Sequence, residues 1–371
     1  MSLKNLSLMI FAITFLSSLA HSQKVKIKAV GIPLADHYAA IIAYEKYRDS
    51  MQKAKFELKI LPGPNLVRRY FRSMPDTDIA LTVAPMVMDM FAQKPNFRWI
   101  SLLHRDGNAL VVNNMLAKEI KIDDKNLTVS NSYFANSIKN YVKEHNRPIE
   151  IAIPSLLATH TTILYKYLKD HNLTMGLYSN DDDVKLHIVK PLRSIAYLKS
   201  NSHRQTPVAF EQSLPWPQIV QSQNSGKIVW YSKDVMRHDK GHVECIIIAK
   251  DSSIIHKKEA LKEVIYYIHR AARDIEEARN NPQTLESIIQ IIRKHIPAHT
   301  PQAIKESLRS DRVGINYLNL NIDANAKKSF KEIMELAFEA GFIKSKIDIE
   351  ALANQSFDSN ITTTTETQDG K

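Results

Sequence analysis

Four stretches of this sequence put polar, imidazole or aromatic side chains where an apolar, strand-like run gives way to a helix-like one. They are GIPLADHYAAIIAYEK (31–46), DIALTVAPMVMDMF (78–91), IAIPSLLATHTTILYKYL (151–168) and PVAFEQSLPW (207–216). At the junctions stand Asp36 and His37, Pro85 and Met86, Ser155, Thr159 and His160, and Glu211 and Trp216. In open α/β sheets ligands lie beyond the carboxyl ends of strands. Helices that start there offer unpaired N–H groups and the positive end of a dipole. That chemistry suits a small anion or a ligand carboxylate. His37 and His160 could add a proton-dependent positive charge, and Trp216 a flat apolar wall. Each residue also has a plainer role. Asp36 is an ordinary helix N-cap, His160 a structural histidine and Met86 core packing. Trp216 could serve as an apolar plug.

The elements that must hold these residues alternate. Strands are expected at 24–32, 56–63, 77–84, 149–155, 184–191 and 206–212, with helices at 36–52, 64–74, 86–93, 132–145, 157–171 and 192–200. The stretch 97–113 reads as one long extended segment, and NLTVSN (126–131) restarts the strand–helix alternation. After HVECIIIAK (242–250) the pattern turns helical for about a hundred residues. Within it, Ala260, Leu261, Val264, Ile265, Ile268, Ala271, Ala272 and Ile275 share one helix face. The fold class is therefore α/β. Two α/β units emerge, the second inserted in the first, with crossings near 108–114 and 232–248.

Residues 1–22 have the Lys4, apolar run and small-residue end of a cleavable export signal. The single Cys245 excludes an internal disulfide. Net charge is +11, but the basic residues are interleaved with acids, which points to solvated helix faces and away from nucleic acid. Nine glycines supply no dinucleotide or P-loop fingerprint. Nucleophile-elbow, H-E-x-x-H and paired-cysteine patterns are absent from the sequence, and NDDD (180–183) lacks the glycine and distal Glu of a calcium hand. No cofactor and no metal is expected from these patterns, and no catalytic set.

In order and spacing, the four stretches and the run from Pro207 to Ala271 resemble the nitrate/sulfonate/bicarbonate branch of ABC-importer solute-binding proteins. The resemblance covers most of residues 24–345. It departs at EQSLPW, PSLLATH and RHDKGH, turns where that family places ligand contacts. It implies a bilobal periplasmic-binding-protein fold (type II), two α/β lobes joined by two crossing segments. The division expected is a signal peptide (1–22), lobe I (23–111 and 239–352), lobe II (112–238) and a disordered tail (353–371). The implied function is periplasmic capture of a small anion or a carboxylate- or sulfonate-bearing solute. The protein would act as a monomer and deliver to an inner-membrane permease and ATPase. Ligand contacts would come from Asp36, His37, Pro85, Met86, Ser155, Thr159, His160, Glu211 and Trp216. Two alternatives stay open: a thiamine-pyrimidine-precursor protein of the same fold, as binder or His-dependent enzyme, and a binder that feeds a sensor.

Overall fold

The computed structural model describes residues 23–122, 131–309 and 314–359. Residues 1–22, where an export signal is expected, and most of NLTVSN lie outside them. Strands β1 (Val25–Gly31), β2 (Ala54–Ile60), β3 (Ile79–Val83) and β4 (Phe97–Leu102) begin a sheet that the chain finishes only much later. β5 (Arg105–Asp106) is a short bridge, and β6 (Asn108–Asn113) opens a second sheet. That sheet continues through β7 (Ile149–Ile153), β8 (Met175–Leu177), β9 (Val184–Ile188), β10 (Val208–Ser213) and β11 (Gly226–Tyr231). β12 (Cys245–Lys250) then returns to the first sheet, and β13 (Ile315–Asn316) pairs with β5. The orders are β2-β1-β3-β12-β4 and β11-β6-β10-β7-β9-β8. β1 runs parallel to β2 and β3, whereas β12 runs antiparallel to both its neighbours.

The apolar run of β12 explains its place. Cys245, Ile246, Ile247, Ile248 and Ala249 are all fully buried, as a strand covered on both faces requires. Each of the three isoleucines contributes about 1.5–3 kcal/mol by leaving water. Helix Asp251–Ala278 follows at once, and its predicted apolar face is buried from Ala260 to Ile275. It packs on β1, β2 and helix Tyr38–Ile42. That helix has partners on so many sides that all five of its residues are buried.

Three expectations shift. The extended segment 97–113 is three strands in three different sheets, so the change of sheet falls at residues 103–107, earlier than 112. Asp36 caps nothing: the turn Ala35–His37 and the helix after it have no side-chain cap. The segment expected to be disordered from 353 is ordered through residue 359. Ala353 bridges to Trp99, Asn354 N–H donates to the Trp99 carbonyl at 2.8 Å, and Phe357 is buried. Residues 360–371 lie outside the described set. No helix among the described residues is long and apolar enough to cross a membrane.

The two crossings touch each other. Asp106 N–H donates to the His242 carbonyl at 3.0 Å, and His242 N–H donates to Asp106 Oδ1 at 2.9 Å. Buried Arg105 donates to the carbonyls of Gly241 (3.1 Å) and Asn319 (3.0 Å). Gly241 has φ +82°, and a Cβ there would stand 2.5 Å from Asp106 Oδ2, so only glycine fits.

Candidate functional site

Where the sheets face each other, their strand ends and the crossings deliver a cluster of buried polar side chains. β1 ends just before Asp36 and His37, and β4 just before His104. β10 ends on Ser213, helix Thr159–Asp170 starts with His160 in its first turn, and the returning crossing brings Glu244 and Cys245. Asp36, His37, His104, Asn108, Ser213 and Glu244 are fully buried, and His160 nearly so.

A chain of contacts runs across the seam between the sheets. Ser213 Oγ donates to Asp36 Oδ2 at 3.0 Å, and His160 Nε2 lies 2.6 Å from the same hydroxyl. A hydroxyl has one proton, so with that proton on Asp36 the imidazole Nε2–H is the donor. His160 Nδ1 then carries the lone pair and stands 3.3 Å from Glu244 Oε1. The other Glu244 oxygen accepts from Asn108 Nδ2 at 2.7 Å. Backbone joins the sheets too, with Ala35 N–H donating to the Leu214 carbonyl at 2.9 Å.

Burial sets the charges. It pushes the Glu211 and Glu244 carboxyls well above the usual carboxylate range, and Asp36 and Glu211 raise Glu244 further, so burial favours the protonated form of each. It lowers His37 and His160 to about 4, so both imidazoles are neutral as well. Burial alone would raise Asp36, yet the facing imidazoles of His104, His160 and His37 hold it down at about 2. Asp36 is therefore the group of the cluster held ionised. The guanidinium nearest in sequence, Arg105, is spent on crossing carbonyls.

Many polar atoms here have no hydrogen-bond partner among the described residues. They include both Glu211 oxygens, Asp36 Oδ1, Glu244 Oε1, His37 Nε2, His104 Nε2, His160 Nδ1 and Trp216 Nε1. Buried polar atoms are paired in the great majority of cases. Buried polar atoms left in this way are satisfied by ordered water or by a ligand.

The sequence matches the NMT1-like family over residues 20–292. The chain belongs to that family. Among curated proteins none matches it by sequence. Solved structures do resemble the NMT1-like chain. One is the periplasmic nitrate-binding protein NrtA from Synechocystis PCC 6803, at TM-score 0.71 and 16% identity, covering 90% of this chain and 87% of that one. A second is the ligand-binding component of an ABC-type import system from Staphylococcus aureus, solved with zinc bound. Its TM-score is 0.69 at 16% identity, with 90% and 98% covered. A third is the alkanesulfonate-binding protein SsuA from Xanthomonas axonopodis pv. citri bound to MOPS, at TM-score 0.65, 9% identity and 90% and 99% covered. At such identities the likeness is one of fold, and the fold is the two-lobed periplasmic-binding one.

Of the residues that the sequence nominates, this NMT1-like protein brings Asp36 and His160 into one network through Ser213. Thr159 borders it, its hydroxyl donating to the Glu244 carbonyl at 3.4 Å. His37 Nδ1 accepts the Ile32 N–H at 2.7 Å, which leaves the ring proton on the unpartnered Nε2. Glu211 shares a β10 face with Ser213, two residues on. Trp216 packs edge-on to His299 at 5.0 Å between ring centroids. Three nominees turn elsewhere. Met86 accepts a contact from Thr82 Oγ1 at 3.7 Å, Pro85 is buried beside it, and Ser155 Oγ accepts from Leu157 N–H within its own turn.

His104, Asn108, Ser213, Glu244 and Cys245 are missed by sequence reasoning. They sit at the ends of apolar runs that read as plain strands. The usable signal is a polar residue closing such a run, as in LLHRDGN and GHVEC.

Proposed function

We propose that this chain is the solute-capturing component of an ABC importer, exported to the periplasm and acting as a monomer. The lobe around the first sheet and the lobe around the second would close on a small solute and deliver it to a membrane permease with its ATPase. Glu211 carries the reading: a fully buried carboxyl with both oxygens unpartnered, on the second lobe's face of the seam. Binding would act through differential affinity, because a solute touching both lobes stabilises only the closed form. No bond in the solute need change.

The charges bear on the solute class. An ionised Asp36, two acids pushed towards their protonated forms and the neutral imidazoles of His37 and His160 favour an uncharged or cationic solute rich in hydrogen-bonding groups. An anion would meet the Asp36 carboxylate, and neither His37 nor His160 carries a charge to offset it. The order Glu244–His160–Ser213 invites comparison with a nucleophilic triad. Burial disfavours the Glu244 carboxylate, however, and the Ser213 proton is engaged by Asp36, so hydrogen bonding to a ligand is the better reading of the array.

A thermal-shift screen tests this on protein stripped of bound ligand by unfolding and refolding. The panel would hold cationic and uncharged heterocycles, small amines, nitrate, sulfonates and carboxylates. A ligand at a hundred times its Kd should add about 2.7 kcal/mol, a rise of a few degrees or less. The Glu211→Ala variant should lose the shift. Shifts from anions alone would overturn the solute class, and no shift across the panel would count against solute capture.

A further inference from the structure

We propose that Asp36, His104 and Cys245 bind a divalent transition-metal ion of the zinc class on the first lobe's wall of the seam. One donor atom from each lies within 4.8 Å of the others, and all three side chains are fully buried. Asp36 Oδ2 is 3.7 Å from His104 Nε2 and 3.6 Å from Cys245 Sγ. Around a tetrahedral ion with ordinary metal–oxygen, metal–nitrogen and metal–sulfur lengths, neighbouring donors stand about 3.3–3.6 Å apart. The two separations from Asp36 Oδ2 lie within a few tenths of an ångström of those values, and the His104 and Cys245 donors lie within 4.8 Å of each other.

Orientation supports the same conclusion. His104 Nδ1 lies 3.4 Å from the Arg105 carbonyl oxygen. A proton on Nδ1 directed there leaves the Nε2 lone pair facing Asp36, the arrangement that outer partners impose on metal-bound imidazoles. Gly107 fixes the ring, since a Cβ there would stand 3.1 Å from His104 Cε1. His104 Nε2 and Asp36 Oδ1 are both buried and have no hydrogen-bond partner among the described residues. Without a cation, Asp36 Oδ2 would take the Cys245 thiol beside the Ser213 hydroxyl that it already accepts, and His104 Nε2 would face it unpaired.

The sheet places the donors in advance. Asp36 and His104 follow the carboxyl ends of β1 and β4, and Cys245 begins antiparallel β12, so all three stand at one edge of one sheet. The set therefore stays assembled when the second lobe swings away. A carboxylate and a thiolate balance a dication. One oxygen, one nitrogen and one sulfur suit zinc or cobalt better than calcium or magnesium, which prefer oxygen alone. Three protein donors leave a fourth position for water or a solute atom.

The inference does not depend on solute import, because the metal is measured on the purified full-length chain alone. Equilibrium dialysis against zinc should give one ion per chain. Cobalt(II) should produce a near-ultraviolet thiolate-to-metal charge-transfer band, and that band must vanish in Cys245→Ser, since the chain has one cysteine. Cys245→Ser, His104→Gln and Asp36→Asn should each weaken zinc by at least about a hundredfold, the upper end of what losing an outer partner costs. Absence of both the band and stoichiometric zinc uptake in the unaltered protein overturns the proposal, whether or not the variants fold. Uptake with unchanged affinity in all three folded variants overturns it too, by placing the metal elsewhere.

Discussion

His269 lies on the buried face of helix Asp251–Ala278, its Nε2 2.7 Å from Ser101 Oγ and its Nδ1 2.6 Å from Ser359 Oγ. Burial lowers its titration from 6.5 to about 4. Above pH 6.5 the ring is neutral in the folded and unfolded chains alike, and its full contribution is present. Between about 6.5 and 4 the unfolded chain takes up a proton that the folded one refuses, so stability falls as the pH falls. Linkage between those two values puts the loss at about 3 kcal/mol. Urea unfolding of wild type and His269→Gln across this range should show the variant's curve flatter by about that amount; parallel curves would refute it. The same physics limited how far the site could be read in advance. Asp36 and His160 stand out because each breaks an apolar junction. The charge state that decides their use depends on burial, which no spacing reveals. Cys245 reads as one more apolar residue of its strand until Asp36 and His104 arrive from distant segments.

At the scale of elements, the crossings are the informative parts. Residues 103–107 and 232–244 join the two sheets, and the hydrogen bonds of Asp106 with His242 tie one to the other. Gly241→Ala would force a side chain into φ +82° and against Asp106 Oδ2. The expected loss is about 2 kcal/mol, the strain of one such residue, read from chemical denaturation with solute affinity measured alongside. A change within 0.5 kcal/mol, the range of an ordinary surface substitution, would mean the crossing yields freely at this point. Helices were largely legible from periodicity, the long one almost to its ends, because their apolar faces are continuous. The break of 97–113 into three strands was not. An apolar run looks the same whether it stays in one sheet or leaves it, and only the Asp106–Gly107 turn betrays the departure.

For the whole molecule, the two-lobed plan follows from the alternation of strands and helices and from its restart after the first crossing. What alternation does not disclose is which sheet receives β12. Its insertion between β3 and β4 leaves the first sheet without the strand that joins those two until residue 250 has been made, whereas every strand of the second sheet falls between residues 108 and 231. The N-terminal strands must therefore wait, with β3 and β4 unpaired on the sides that β12 will fill. The inserted unit can form its own sheet first, from contacts nearer in sequence. Pulse-labelling hydrogen exchange during refolding should protect amides of β6, β7 and β10 before those of β3 and β4. The reverse order would show that β12 docks before the lobe that precedes it is complete. On that order the strands that precede the insertion in sequence belong to the lobe that completes its sheet last.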